Sequence, residues 1–395
     1  MSFFTDVSTE MIYPLLPVFL AGVLGANASF IGAIEGAAET TASLLKLLSG
    51  WWSDKVKSRK PFVVAGYLIA GFVRPFTAAT RTASQVLAIR VTDRVGKGLR
   101  SSPRDALLAD SAPPESRGLA YGFHAAADNA GAVLGPLVVC FILRLHGVGA
   151  LDGNNRLLPA DEHAMRNVFW LSAIPAAIAL LILIVVVRDV PHHEAGRPGD
   201  QTAETGPLTG RFWGYLVVVL LVTLGNSTDA FLLLRANQLG VPVALAPVLW
   251  ALLNLVKAAT GTYGGRLSDT WGRKPLIVGG WLLYAAVYFA FAWARVPWQA
   301  WALFAIYGVF YGMTEGTEKA LVADIVPRDR RGAAFGWYNL AIGLAALPAS
   351  LIFGWIWDRS GASSAFVFGA TLALVAAVLM WIVAPGSRPR GQVIS

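Results

Sequence analysis

The chain has 395 residues, 55% of them hydrophobic and 14% charged, with a net charge of +8 and a mean hydropathy of +0.56. Soluble domains carry about 25% charged residues, so this composition excludes an ordinary soluble domain. The positive balance does not point to nucleic acid, because the basic residues are confined to short loops between apolar runs.

About twelve membrane-spanning helices are expected, at roughly 3–24, 28–53, 61–80, 85–108, 118–144, 166–188, 211–236, 243–266, 275–295, 298–322, 332–356 and 363–385. The uncharged runs Leu171–Val187, Leu276–Ala294 and Ser363–Pro385 are each about long enough to cross a ~30 Å hydrocarbon core. No cleavable leader is expected, because Met1–Asp6 has no basic stretch. Basic loops hold Lys55, Lys57, Arg59 and Lys60; Arg266, Arg273 and Lys274; Arg328, Arg330 and Arg331; Arg388 and Arg390. They alternate with weakly basic loops such as 236–243. By the positive-inside rule, the basic loops and both termini lie in the cytoplasm, with the chain in a bacterial inner membrane. The polar stretch 189–210, rich in Gly and Pro, reads as a cytoplasmic linker between an N-terminal bundle, 1–188, and a C-terminal bundle, 211–395. A second polar stretch, 147–166, reads as an extracytoplasmic loop. Cys140 is alone in an apolar run, so neither a disulfide nor a cysteine-based metal site is expected.

Charges inside membrane helices are costly and face a partner or a wet cavity. The sixth, ninth and twelfth predicted helices have essentially none. The first carries Asp6 and Glu10, the fourth Arg90, Asp93, Arg94, Lys97, Arg100, Arg104 and Asp105, the seventh Asp229 and Arg235, and the tenth Glu315, Glu318 and Lys319. The second places Glu35, Glu39, Ser43 and Lys46 along one stripe, and the fifth adds His124, Asp128 and Asn129. Arg90, Arg94, Lys97 and Arg104 share one helical face. Asp93 and Lys97 are spaced to pair at i, i+4. That cationic face suits an anionic group, to which Arg offers forked donors; the alternative is internal pairing with Glu10, Glu35, Glu39 and Asp128. Trp51, Trp52, Trp213, Trp355 and Trp357, at helix ends, read as interfacial belts. Trp250 and Trp337, inside helices, read as packing or as stacking platforms.

The two halves repeat. Ser53-Asp54 with Arg59-Lys60-Pro61 recurs as Ser268-Asp269 with Arg273-Lys274-Pro275, one residue shorter. The segment 106–110, followed by Arg117, Gly118 and Gly122, recurs as 320–324 with Arg331, Gly332 and Gly336, at an offset of about 214 residues. One register held over two separated motifs marks a duplication. The expected fold is an all-α membrane protein of about twelve helices in two six-helix bundles related in parallel fashion, an arrangement that resembles the major facilitator architecture.

Three motifs carry a resemblance to that superfamily. The loop 265–274, GRLSDTWGRK, resembles the facilitator loop between helices 8 and 9 at every defining position. Its copy 50–60 lacks the inner Gly. Gly131-Ala-Val-Leu-Gly135-Pro136 looks like the helix-5 signature of proton-coupled exporters, although Leu137, Val138 and Val139 replace its later glycines. The segment 94–102, RVGKGLRSS, is similar to the exporter helix-4 motif, with Lys97 for a Gln and Arg100 for a Gly. The resemblance implies alternating access through a cavity lined by helices 1, 4, 7 and 10, and it implies latches that gate the rocking of the halves.

The assignments follow. Glu10, Arg90, Arg94, Lys97, Asp229 and Glu315 are substrate-binding candidates. Glu10, Glu35, Asp93, Asp128 and Asp229 are proton-coupling candidates, since a carboxylate removed from water takes up a proton more readily. Asp54, Arg59, Arg100, Arg104, Asp269, Arg273, Gly131, Gly135 and Pro136 are gating candidates. The expected activity is proton-coupled export of a small organic solute by a monomer. The alternatives are uptake or uniport of an organic anion or anionic metal chelate, and a non-transporting receptor or assembly factor. No nucleophile, metal or nucleotide motif appears, so neither an enzyme nor a cofactor is expected, and His124 has no ligand partner at a useful spacing.

Overall fold

The computed structural model describes residues 1–53, 58–111, 117–146, 159–187, 210–326 and 331–383, and every regular element among them is helical. In chain order these are α1 (Ser2–Ile12), α2 (Leu16–Gly22), α3 (Ala28–Ser53), α4 (Lys60–Val73) running into a 3-10 turn (Arg74–Ala79), α5 (Ala83–Ser111), α6 (Arg117–Leu145), α7 (Pro159–Leu171), α8 (Ala173–Val185), α9 (Gly210–Gly225), α10 (Ala230–Gln238), a 3-10 turn (Val243–Leu245), α11 (Ala246–Trp271), α12 (Arg273–Trp293), α13 (Pro297–Ile325) and α14 (Arg331–Val383). Most of the linker 189–210 and of the loop 147–166 lies outside the described residues.

Seven stretches of described residues are long and apolar enough to cross a membrane: Lys60–Ala79, Ala127–Leu145, Asp161–Val185, Gly210–Gln238, Val243–Gly265, Arg273–Trp293 and Ala334–Ile382. The last contains both final expected helices, divided at Gly361, whose φ of 83° suits a residue without a Cβ. Helices α3, α5 and α13 have the length, at 26, 29 and 29 residues. They are not among the seven, and each carries charged residues within its length. Leu137, Phe141, Ile174, Leu181 and Ile184 are exposed along α6 and α8, as expected of a face bathed in lipid rather than water.

The first expected helix is broken. Pro14 has no N–H to give the carbonyl of Glu10, and its ring crowds that turn; the chain therefore turns at Tyr13–Leu15 between α1 and α2. The seventh is broken at 226–229, between α9 and α10. Adding 214 to 13–15 gives 227–229, so the two breaks occupy the same place in the two repeats.

The chain packs into two units. The first comprises Met1–Glu194 with Thr228–Ala251, the second Ala195–Ser227 with Leu252–Ser395. Tight glycine contacts show the duplication within each. A Cβ on Gly66 would meet the Arg100 Cβ at 2.6 Å, and one on Gly98 would meet the Leu45 Cβ at 2.5 Å. In the second unit the matching contacts are Gly280 on Thr314 and Gly312 on Thr260. Helix pairs that approach this closely need a residue with no side chain at the crossing.

The two cores differ in chemistry at matched positions. The first unit buries an ion pair, Arg74 with Asp93, and beside it Arg90. The same register in the second unit holds Tyr288, Tyr307 and Phe304, all fully buried. Tyr288 and Tyr307 lie 6.2 Å apart between ring centroids. An ionic core in one repeat is thus an aromatic core in the other.

Candidate functional site

The buried charges of the first unit form one network, and each link has a cause in the local fold. Pro75 ends the α-helical part of the third span, and Arg74, at the junction, points inward at 4% exposure. Its Nε and Nη2 both donate to Asp93 Oδ1, at 3.1 and 2.7 Å, and its Nη1 donates to Ser8 Oγ at 2.9 Å. Ser8 Oγ donates onward to the carbonyl of Ser172 at 2.8 Å, at the break between α7 and α8. One turn before Asp93, Arg90 grips Glu35 of α3 with a two-pronged pair, Nε to Oε1 at 3.0 Å and Nη2 to Oε2 at 2.6 Å. Arg90 Nη1 lies 3.8 Å from Asp93 Oδ2. Two arginines and two carboxylates removed from water are tolerable only as such a closed set.

Three charged groups next to this network have no such closure. Arg94 is 8% exposed, and its Nε has no hydrogen-bond partner among the described residues. Lys97, one turn on, stands in the field of Arg94, Lys46, Glu39 and Asp6. Glu10 of α1 feels Lys97, Arg94 and Arg90. Its carboxylate accepts a 2.6 Å hydrogen bond from Trp250 Nε1. Tyr13, in the break after α1, packs 4.8 Å from the Trp250 ring and 5.7 Å from the Arg90 guanidinium. Thr228, Asp229 and Glu35 also lie close to it. Broken helices of this kind turn backbone ends toward a binding site near mid-membrane.

The structure therefore gathers Glu10, Glu35, Arg90, Asp93, Arg94, Lys97 and Asp229 in the first unit. The expected Asp93–Lys97 pair is replaced by Asp93 with Arg74 and Arg90, because Asp93 faces the 3-10 turn that follows α4 while Lys97 lies in the field of charges on α1 and α3. Asp128 accepts from Ser2 Oγ and lies 3.2 Å from His124 Nδ1, within reach of Asp6 rather than of the arginines at mid-helix. Glu315 is in the second unit, held by Lys257 at 2.9 Å and Lys319 at 3.4 Å.

Among the gating candidates, Gly131 and Gly135 press against α1 where its acids lie. A Cβ on Gly131 would meet Phe3 O at 2.6 Å and the Asp6 Cβ at 3.0 Å, and one on Gly135 would meet Val7 O at 2.8 Å and the Glu10 Cβ at 3.0 Å. The helix runs unbroken through Pro136. Arg100 packs 4.3 Å above the Tyr67 ring, and its Nε and Nη1 have no partner among the described residues. Arg104 bonds Asp105, and Arg59 is buried at the start of α4. Gly272 takes a φ of 94° at the turn into α12, and Arg273, the next residue, donates to Asp324 Oδ2 at 3.3 Å and to Ser268 Oγ. Asp54 and the Asp269 side chain lie outside the described residues. Sequence reasoning passed over Arg74 and Tyr13. A lone Arg inside an apolar span was the available signal for the first; the Pro following Tyr13 was the signal for the second.

Two repeats of membrane-crossing helices, broken at matched points, with a network of buried charge in the first unit, define a polytopic membrane protein. The chain belongs to the Major Facilitator Superfamily, whose family model matches residues 1–317 and 230–394. It is 30% identical over 386 residues to an uncharacterised MFS-type transporter of Methanocaldococcus jannaschii, covering 96% of this chain and 92% of that one. A multidrug resistance protein of Yersinia enterocolitica is 30% identical over 120 residues, 30% of either chain. The inward-facing, occupied structure of a bacterial homologue of the human lysosomal transporter Spinster superposes with a TM-score of 0.77 at 17% identity, over 97% of this chain and 94% of that one. At that identity the likeness is one of fold. The protein is thus a multi-pass secondary transporter of a solute and not an enzyme.

Proposed function

We propose that this transporter couples export of a small organic solute to proton entry, with Glu10 as the proton carrier and Arg94 and Lys97 as the contact for a negative group on the solute. The observation that carries the reading is the partner of Glu10. Its hydrogen-bond donor is a neutral indole, while Lys97, Arg94 and Arg90 stand near it and, among the described residues, none closes an ion pair with it. Such a carboxylate can take a proton without tearing apart a buried pair, whereas Glu35 cannot. A bound anion and a charged Glu10 compete for the same cations, which is the exchange an antiporter needs. The multidrug resistance relative supports export. Asp128 is a second carrier candidate and Asp229 a third, and the latches are read as Arg59, Arg100, Arg104, Arg273, Gly131 and Gly135.

With this goes the rest of the arrangement: halves 1–188 and 211–395 joined by 189–210, both termini in the cytoplasm of a bacterial inner membrane, and a monomer as the working unit. The test is purified protein in liposomes carrying a pH-reporting dye, challenged with panels of organic acids, neutral sugars and cationic dyes. Glu10→Gln should abolish solute-dependent proton flux while substrate counterflow persists. Unchanged pH-driven flux in both Glu10→Gln and Asp128→Asn would overturn the carriers.

A second reading, uptake or uniport of an anion, is favoured by Arg94 Nε, which is buried with no hydrogen-bond partner among the described residues. Net anion accumulation down its own gradient, with no proton movement, would select it.

A further inference from the structure

A carboxylate in the second unit shares the features just ascribed to Glu10, and no motif or charge pattern singled it out. Glu318, on α13, accepts Trp281 Nε1 at 2.9 Å on one oxygen and Tyr338 Oη at 2.7 Å on the other. Trp281 is 1% exposed and Tyr338 4% exposed. Tyr215 completes the surround; its ring stacks on Tyr338 at 6.4 Å, and it lies within electrostatic reach of Glu318. Its hydroxyl is buried without a hydrogen-bond partner among the described residues.

Among the described residues, the charged groups acting on Glu318 are Glu315 and Lys319, both on its own helix. Glu315 already binds Lys319 and, from α11, Lys257. From α12, α14 and α9, Trp281, Tyr338 and Tyr215 face Glu318, all neutral. We infer that Glu318 is a proton-binding site of the second unit, set in a pocket of neutral aromatic donors.

The chemistry follows from the partners. An N–H and an O–H support a carboxylate, and both contacts survive when it takes a proton, because each oxygen keeps a lone pair. Glu35 and Asp93, clamped by arginines, have no such freedom. The repeat sharpens the point. Subtracting 214 from 318, 281 and 338 gives Arg104, Tyr67 and His124, so the second half carries an acid where the first carries a base. The inference rests on the proposed proton coupling only for its purpose in transport; proton binding at Glu318 can be read without any substrate.

The experiment is infrared difference spectroscopy of the full-length protein in a lipid film, perfused between acid and alkaline buffer, with the proton as the only probe. Wild type should show a carboxylic-acid carbonyl band that Glu318→Gln removes and Glu10→Gln leaves in place. Tyr338→Phe keeps the ring packing and should move that band to higher frequency, since one hydrogen bond is lost. This keeps the test decisive if Glu318→Gln folds poorly. A spectrum unchanged in both Glu318→Gln and Tyr338→Phe overturns the inference while leaving the role of Glu10 standing. Loss of a band in Glu10→Gln alone does the same.

Discussion

Trp250 and Glu10 are 240 residues apart in sequence and joined by a 2.6 Å hydrogen bond in space. The contact ties the start of α11 to α1 inside the first unit, and it makes the donor to the proposed proton carrier a group that never titrates. Trp250→Phe keeps most of the ring area and deletes the N–H. A hydrogen bond to a charged group contributes about 1.5–3 kcal/mol, and each pH unit is about 1.4 kcal/mol. Losing the donor disfavours the carboxylate, so the pH of half-maximal transport should move upward by about one to two units. A pH profile of dye-reported flux, with the folded state checked by thermal melting, measures it. An unmoved profile would detach Trp250 from coupling.

Arg74 and Asp93 should behave as a structural pair. Removing one member leaves a buried charge unmatched, at a cost of about 3–5 kcal/mol. Arg74→Leu and Asp93→Leu should each lower the melting temperature in detergent sharply, and the double variant should recover much of the loss. The aromatic pair Tyr288 and Tyr307 in the other repeat shows that this position tolerates an uncharged solution. A double variant no better than the singles would mean that Ser8 and Arg90 depend on the pair as well.

Gly135→Ala places a methyl group against Val7 O and the Glu10 Cβ, where the gap is 2.8–3.0 Å. Overpacking of this kind costs about 1–3 kcal/mol. Here it also pushes α1, and Glu10 with it, away from α6. Transport should fall further than stability does, and a variant with full transport and a lowered melting point would separate the glycine from function.

Arg273 and Asp324 should act as one latch. Arg273→Ala and Asp324→Asn should slow transport to a similar degree, with the double variant no worse than either single, and with equilibrium binding of a transported solute unchanged. Additive losses would show that the two side chains serve separate ends.

Much of this organisation is legible in the sequence because it depends on local rules. The second spanning helix occupies 28–53 as its apolar run indicates, and the left-handed turn at Gly272 falls on the glycine of the loop motif. The repeat register also carries through to the paired glycine contacts. What escaped were partnerships set by packing between helices. The i, i+4 rule pairs Asp93 with Lys97 on one helix, but Asp93 turns to an arginine on another. The break after α1 was hidden because Pro14 and Pro17 sit among residues apolar enough to read as one span. Glu318 stood in the sequence as one charge of three on its helix, with nothing to show that its donors would be aromatic and lie on α12 and α14.

Helix α1 has 11 residues, about 16 Å at 1.5 Å per residue, roughly half of the ~30 Å hydrocarbon core. It carries two acids and ends at a break, so it is poorly suited to staying in the bilayer alone. The surface that receives it is the glycine pair of α6, which the ribosome supplies only after α3, α4 and α5 have been made. Biogenesis of this protein should therefore pass through a stage in which α1 is held at the insertion machinery, or slips back out, until Gly131 and Gly135 emerge. Defects at those glycines would then appear first as lost membrane yield.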